Sequence, residues 1–174
     1  MQIYKDNKFL FKEGNERRAY NYMGAIVSPS EVSFSVWAPN AKEVYLVGDF
    51  ADWDTGIKMD FDEEYGIWST SSTKAKVGDV YKFRIVGKNG KVTLKSDPYA
   101  RKAELRPSTG SVIYKSSYKW KDKRYINSHP AKFNCPMNIY EVHFGSWKRK
   151  ENGEFLSYKE MADELIPYVI ATIS

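Results

Sequence analysis

The sequence predicts an all-β fold, a β-sandwich, on two observations. Apolar and polar residues alternate along much of the chain, and turn signals interrupt that alternation at roughly 8 to 12 residue spacing, the rhythm of short antiparallel strands. After Tyr114 the pattern changes to an apolar strand followed by an amphipathic helix, the opening unit of an α/β piece.

Residues 1 to 26 mix aromatics and charges (Phe9, Phe11, Glu13, Arg17, Arg18, Tyr20, Tyr22) with neither period, and read as an N-terminal arm. Val32, Phe34 and Val36 alternate with Ser33 and Ser35, which puts three apolar side chains on one strand face. Ala38-Pro39-Asn40-Ala41 reads as a turn and Val44 to Val47 as a strand too apolar for an exposed edge. Gly48 to Asp54 reads as a loop, followed by short strands near Lys58 to Phe61 and Ile67 to Ser71. Tyr81, Phe83 and Ile85 share one strand face, with Lys82 and Arg84 on the other. Asn89-Gly90 marks a tight hairpin whose return strand carries Val92 and Leu94, and a last strand is expected at Ser111 to Tyr114. Trp37 and Trp68, both on strands, are expected in the core. The sandwich therefore covers residues 27–115, a polar basic linker 116–137, and the strand-helix piece 138–174. In that piece Ile139 to Phe144 reads as a strand, on which His143 is expected as a hydrogen-bonded core residue. Ser157 and Glu160 form a capping box before a helix to about Ile170, with Met161, Leu165 and Val169 along one face.

Composition narrows the partners. The 174 residues carry 27 basic and 22 acidic side chains, for a net charge of +5. Five of the basic residues fall between Lys115 and Arg124, interleaved with Tyr118 and Trp120. Such a stretch raises single-stranded nucleic acid as a partner, but a solvated lysine-rich linker accounts for it, and no nucleic acid is expected. Aromatics at 16% are the more informative excess, because a flat ring stacks on a base or on the C–H face of a sugar. No apolar run exceeds four residues, so no membrane partner is expected. Cys135 is the only cysteine, which excludes an internal disulfide and suits a reducing, cytoplasmic setting. His129 and His143 have no companions at zinc-ligand spacing, and Asp60-x-Asp62-x-Glu64 has Tyr65 where a calcium loop needs glycine. No metal or cofactor is expected. Asp49, Asp52 and Asp54 crowd a solvated turn, where nothing raises a carboxyl pKa, so no catalytic residue is assigned.

Val36-Trp37-Ala38-Pro39-Asn40-Ala41, then Val44-Tyr45-Leu46-Val47-Gly48-Asp49-Phe50 and Trp53, resemble the family 48 carbohydrate-binding module of 1,4-alpha-glucan (glycogen) branching enzymes. The resemblance continues through Tyr81-Lys82-Phe83, Ser96-Asp97-Pro98-Tyr99 and Arg106-Pro107. Asn138 to Trp147 and Tyr158 to Tyr168 are similar to the first strand and helix of that family's catalytic (β/α)8 barrel. The sandwich motifs alone are shared with isoamylases, pullulanases and the glycogen-binding domain of AMP-activated protein kinase.

The resemblance implies an immunoglobulin-like sandwich with the start of a truncated barrel, in an N-terminal fragment without activity of its own, because the family's nucleophile and acid/base lie on later strands. It implies an α-1,4-glucan such as glycogen or a malto-oligosaccharide as partner, with the missing barrel as the other. It also implies binding residues: Trp53 to stack on a glucose ring, Lys82 to hydrogen-bond sugar hydroxyls, and Ser111 as a hydroxyl contact. Ala51 stands where the family usually has Asn, and the hairpin at Asn89-Gly90 lacks the second stacking tryptophan of the kinase-type modules. A sandwich that only positions the barrel and binds nothing is the alternative.

Overall fold

The computed structural model describes residues 5–128 and 139–173, in two compact units, Met1–Tyr118 and Lys119–Ser174. His129 and Cys135 lie outside the described residues.

In the first unit the alternating segments form two antiparallel sheets. One has the order β1-β2-β6-β5, from β1 (Gly24–Val27), β2 (Val32–Trp37), β5 (Asp60–Asp62) and β6 (Ile67–Ser72). The other has the order β4-β3-β7-β8, from β3 (Ala41–Gly48), β4 (Ile57–Lys58), β7 (Val80–Gly87) and β8 (Val92–Lys95), and β9 (Ser111–Val112) also pairs with β7. Because side chains alternate between faces, Val32, Phe34, Val36 and Trp68 from the first sheet meet Val44, Leu46, Tyr81 and Phe83 from the second in one buried core. Phe34 is its centre, with the Phe50 ring stacked 5.4 Å away and Tyr81 edge-on at 5.1 Å. Beneath β7 the Tyr81 hydroxyl donates to the Asp97 carboxylate, and burial pushes the Asp97 carboxyl above its ordinary range.

The structure fills in the arm and corrects one expectation here. The N-terminal arm is structured: α1 (Lys5–Lys12) and a 3-10 turn (Ala19–Asn21) precede β1. Ala19, Tyr22 and Met23, with Phe11 packed against them, close a second apolar cluster on Tyr65 and Ile67, and Lys8 pairs with Asp62. The mixed polarity of that segment reflects a helix too short to display a period, held by contacts far along the chain. Trp68 is buried as expected, its indole donating to the Ala38 carbonyl. Trp37 is not in the core but 55% exposed, because it continues the outward face of Ser33 and Ser35 rather than the inward face of Phe34 and Val36.

The second unit holds α2 (Lys123–Ser128), inside the stretch read as linker, then α3 (Phe144–Trp147) and α4 (Tyr158–Ile173). The capping box is made as the sequence predicts, with Ser157 N–H donating to Glu160 at 2.8 Å and Glu160 N–H donating to Ser157 Oγ at 3.3 Å. Met161 is buried, with Leu165 and Val169 half-buried. The Trp147 indole donates to the Tyr140 hydroxyl, and both rings pack on Tyr168. The strand expected from Ile139 to Phe144 does not form. Residues 139–143 carry no regular secondary structure, the His143 carbonyl accepts from the Ser146 and Trp147 N–H groups, and Phe144 opens the short α3. A strand exists only by hydrogen bonding to another, and none is present in this unit among the described residues. His143 accordingly is exposed, its Nδ1 2.9 Å from Ser146 Oγ, and not a core residue.

Candidate functional site

The outer face of the second sheet is built by the same alternation that fills the core. While Val44, Leu46, Tyr81 and Phe83 point inward, Tyr45, Lys82 and Arg84 point out, and the register sets Val47 opposite Lys82 and Tyr45 opposite Arg84. Val47 faces outward too, yet it is fully buried, because the loop from Asp49 to Gly56 folds down over it. Gly56 makes that closure: it has φ +67°, and a Cβ there would stand 2.7 Å from both the Leu46 carbonyl oxygen and Val47 Cγ1.

The loop is fastened at several points. Asp49 accepts from the Val80 N–H at 2.8 Å, and the Phe50 ring is drawn into the core. Asp52 accepts from the Asp54 and Thr55 N–H groups at 2.8 and 2.7 Å, which holds its carboxyl below the ordinary range. Such an acceptor in a turn stabilises the loop. Arg84 supplies the last tie. Its Nη2 donates to the Thr55 carbonyl at 2.9 Å while the guanidinium lies 4.4 Å from the centre of the Tyr45 ring. The Arg84 Nε is buried without a hydrogen-bond partner among the described residues.

On this frame the three sequence-selected residues separate. Trp53 is carried by the fastened loop and is 41% exposed. Lys82 lies on the face that the loop covers, its ammonium donating to Thr109 Oγ1 at 2.7 Å. Ser111 is not part of the surface. It is 1% exposed, and its hydroxyl accepts the Asp97 N–H at 2.8 Å, so it locks β9 to the segment after β8 and leaves no atom for a ligand. Sequence reading placed Ser111 on a strand but could not give its facing, which follows from the pairing of Ser111 with the inward Tyr81. Arg84, Tyr45 and Thr109 are the residues missed as a group. The period-two pattern put Arg84 beside Lys82 on one face, and only the fold adds the loop and the Thr109 segment to it.

The exposed Trp53 indole on the fastened loop, and the outward Lys82 and Arg84 side chains of β7, are groups of the kinds that hold a neutral polyhydroxylated ring: a flat ring for its apolar C–H face and polar groups for its hydroxyls. Among the described residues no three His, Cys, Asp or Glu side chains come together as a metal group, and no helix is long and apolar enough to cross a membrane.

Residues 22–100 match the family described as carbohydrate-binding module 48 (isoamylase N-terminal domain). Over 94% of its length the chain is 46% identical to the 1,4-alpha-glucan branching enzyme GlgB of Halothermothrix orenii and 43% identical to that of Fusobacterium nucleatum. It spans 27% of the length of each of these relatives. Among solved structures, PulA from Klebsiella pneumoniae is similar over 53% of this chain and 9% of its own, at 26% identity and a TM-score of 0.46.

Proposed function

We propose that the chain is the glucan-binding and scaffold region of a 1,4-alpha-glucan branching enzyme, working in the cytoplasm. Its immunoglobulin-like sandwich holds an α-1,4-glucan, glycogen or a malto-oligosaccharide, for a catalytic barrel that cuts α-1,4 links and rejoins the piece through α-1,6 links. Residues 138–174 are the beginning of that barrel. The chain takes no cofactor or metal, and its partners are the glucan and the barrel, not nucleic acid or membrane.

What supports this reading is that Lys82 and Arg84 share one outward sheet face and that Arg84 ties this face to Thr55, two residues along the loop from the exposed Trp53. One stacking ring with a few hydrogen bonds supports a Kd near 1 mM, about −4 kcal/mol. Titration with maltoheptaose, followed by tryptophan fluorescence, should give a saturable change that Trp53→Ala abolishes. The second reading, a scaffold that binds nothing, draws on the engagement of the Lys82 ammonium with Thr109. No change up to tens of millimolar sugar would establish it and end the first.

A further inference from the structure

At the other end of β3 the sandwich carries a second aromatic hollow. Trp37 leaves the end of β2 55% exposed, and it lines three depressions of the surface. The largest, of about 520 Å³, has Trp37, Phe61 and Pro39 on its surface, with Lys12, Glu63, Glu64 and Lys88 at its margin. Those four side chains form no ion pair or hydrogen bond with described residues.

The hollow is fixed before any ligand arrives. Ala38 N–H donates to the Gly66 carbonyl at 3.0 Å, and Gly66 N–H to the Asp62 carbonyl at 2.8 Å, which clamps the end of β2 to the turn between β5 and β6. Gly66 has φ +71° and sits so close that a Cβ would meet Pro39 Cβ at 2.7 Å and Trp37 Nε1 at 3.2 Å. The Phe11 ring meets the indole edge-on at 6.5 Å and supports it from α1.

The chemistry of the margin selects the occupant. Two lysines and two glutamates cancel in net charge, so an anion such as nucleic acid gains nothing there. An apolar helix would bury four charges without partners. A neutral sugar chain meets both conditions: its C–H face covers the indole, and its hydroxyls donate to carboxylates and accept from ammonium groups.

We infer that the Trp37 hollow is a second α-glucan subsite, independent of the Trp53 face. The inference rests on the glucan reading for the class of ligand. Eight residues of β3 separate the two, roughly 25 Å at an ordinary strand rise, so a short oligosaccharide occupies them separately and a glycogen particle engages both.

The test is titration of the ¹⁵N-labelled full chain with maltoheptaose, reading the tryptophan indole N–H signals. The Trp37 shift should saturate and persist in Trp53→Ala, and Trp37→Ala should leave the Trp53 titration unchanged while removing the second binding event. The Trp147 indole, hydrogen-bonded to Tyr140 in the other unit, is the internal control. To separate loss of the ring from loss of fold, Glu63→Gln with Glu64→Gln leaves Trp37 in place and should weaken the Trp37 titration at least threefold without moving the Trp53 one. A Trp53 shift with a silent Trp37 overturns the second subsite and leaves the first. A Trp37 shift without one at Trp53 does the reverse. Silence at both, or a Trp37 shift that vanishes in Trp53→Ala, overturns the independent second subsite.

Discussion

Replacing Arg84 by methionine separates the presentation of Trp53 from the stability of the sandwich. The substitution keeps the aliphatic stem and removes the guanidinium, which donates to the Thr55 carbonyl at 2.9 Å and lies over Tyr45 at 4.4 Å. A hydrogen bond from a charged donor contributes about 1.5–3 kcal/mol and an exposed cation–π contact about 0.5–1 kcal/mol. Against this, the same group carries a buried Nε without a partner, an uncompensated desolvation of about 1–3 kcal/mol that disappears with it. The two sides nearly cancel, so urea denaturation should show a loss of no more than about 1–2 kcal/mol. The loop, however, loses its side-chain tie to β7 at Thr55, two residues from Trp53, while those at Asp49 and Asp52 remain. If about 1 kcal/mol of ordering is shifted onto the binding step, maltoheptaose affinity falls about fivefold. Arg84→Lys should not restore it, because a single ammonium cannot both cover the Tyr45 ring and reach Thr55. Calorimetric titration of wild type and both variants tests this, with the Trp53 indole signal reporting the loop. Unchanged affinity in Arg84→Met, or full rescue by lysine, would refute the positioning role.

Two further outcomes follow from single contacts. Ser111→Ala leaves the Asp97 N–H buried without its acceptor and should lower stability by about 1–3 kcal/mol in urea denaturation, with glucan affinity unchanged. The converse pattern, weak binding at full stability, would return Ser111 to the sugar site. In the second unit, Glu160 is held down to about 2 from an ordinary 4.5, first by its bonds to Ser157 and then by Lys150. A depressed carboxyl gives stability that is fully present above pH 4.5 and lost as pH falls through about 2. Circular dichroism of α4 should therefore fall across that window, and Glu160→Gln should remove the dependence. A helical signal with the same acid profile in the variant would contradict the capping account.

What was legible in the sequence divides along a physical line. Val32, Phe34 and Val36, or Tyr81 and Phe83, declare their strands and facing because a strand's side-chain period is local and needs only a few residues to be seen. Ser157 and Glu160 declare a helix start because both bonds of the box close within four residues. The site was partly legible for the same reason: Lys82 and Arg84 alternate with core residues, and the turn residues around Trp53 mark a loop. Ser111 failed because its environment is set by Asp97, 14 residues away, and no local pattern reports whether a serine faces water or a buried amide.

Trp37 and Ile139 to His143 fail for a deeper reason. Trp37 follows three inward residues at odd offset, so its outward facing was in fact written in the alternation, and large apolar character outweighed position in the expectation. The outward residues of the first sheet divide at this point: Ile67 is covered by the cluster that Ala19, Tyr22 and Met23 complete, and Trp37 is left open beside Phe11. An uncovered indole is a statement about coverage, and coverage comes from segments elsewhere in the chain. Ile139 to His143 carries the converse lesson. Its apolar run is suited to a buried strand, but suitability is a property of the segment, and strandedness is a property of a pair. Pairing requires a neighbouring edge, and the described residues of the second unit offer helices instead, so Tyr140 satisfies its hydroxyl and ring on Trp147 and Tyr168. Both cases assign the same origin to what local pattern cannot show: the identity of the surface that another part of the protein brings.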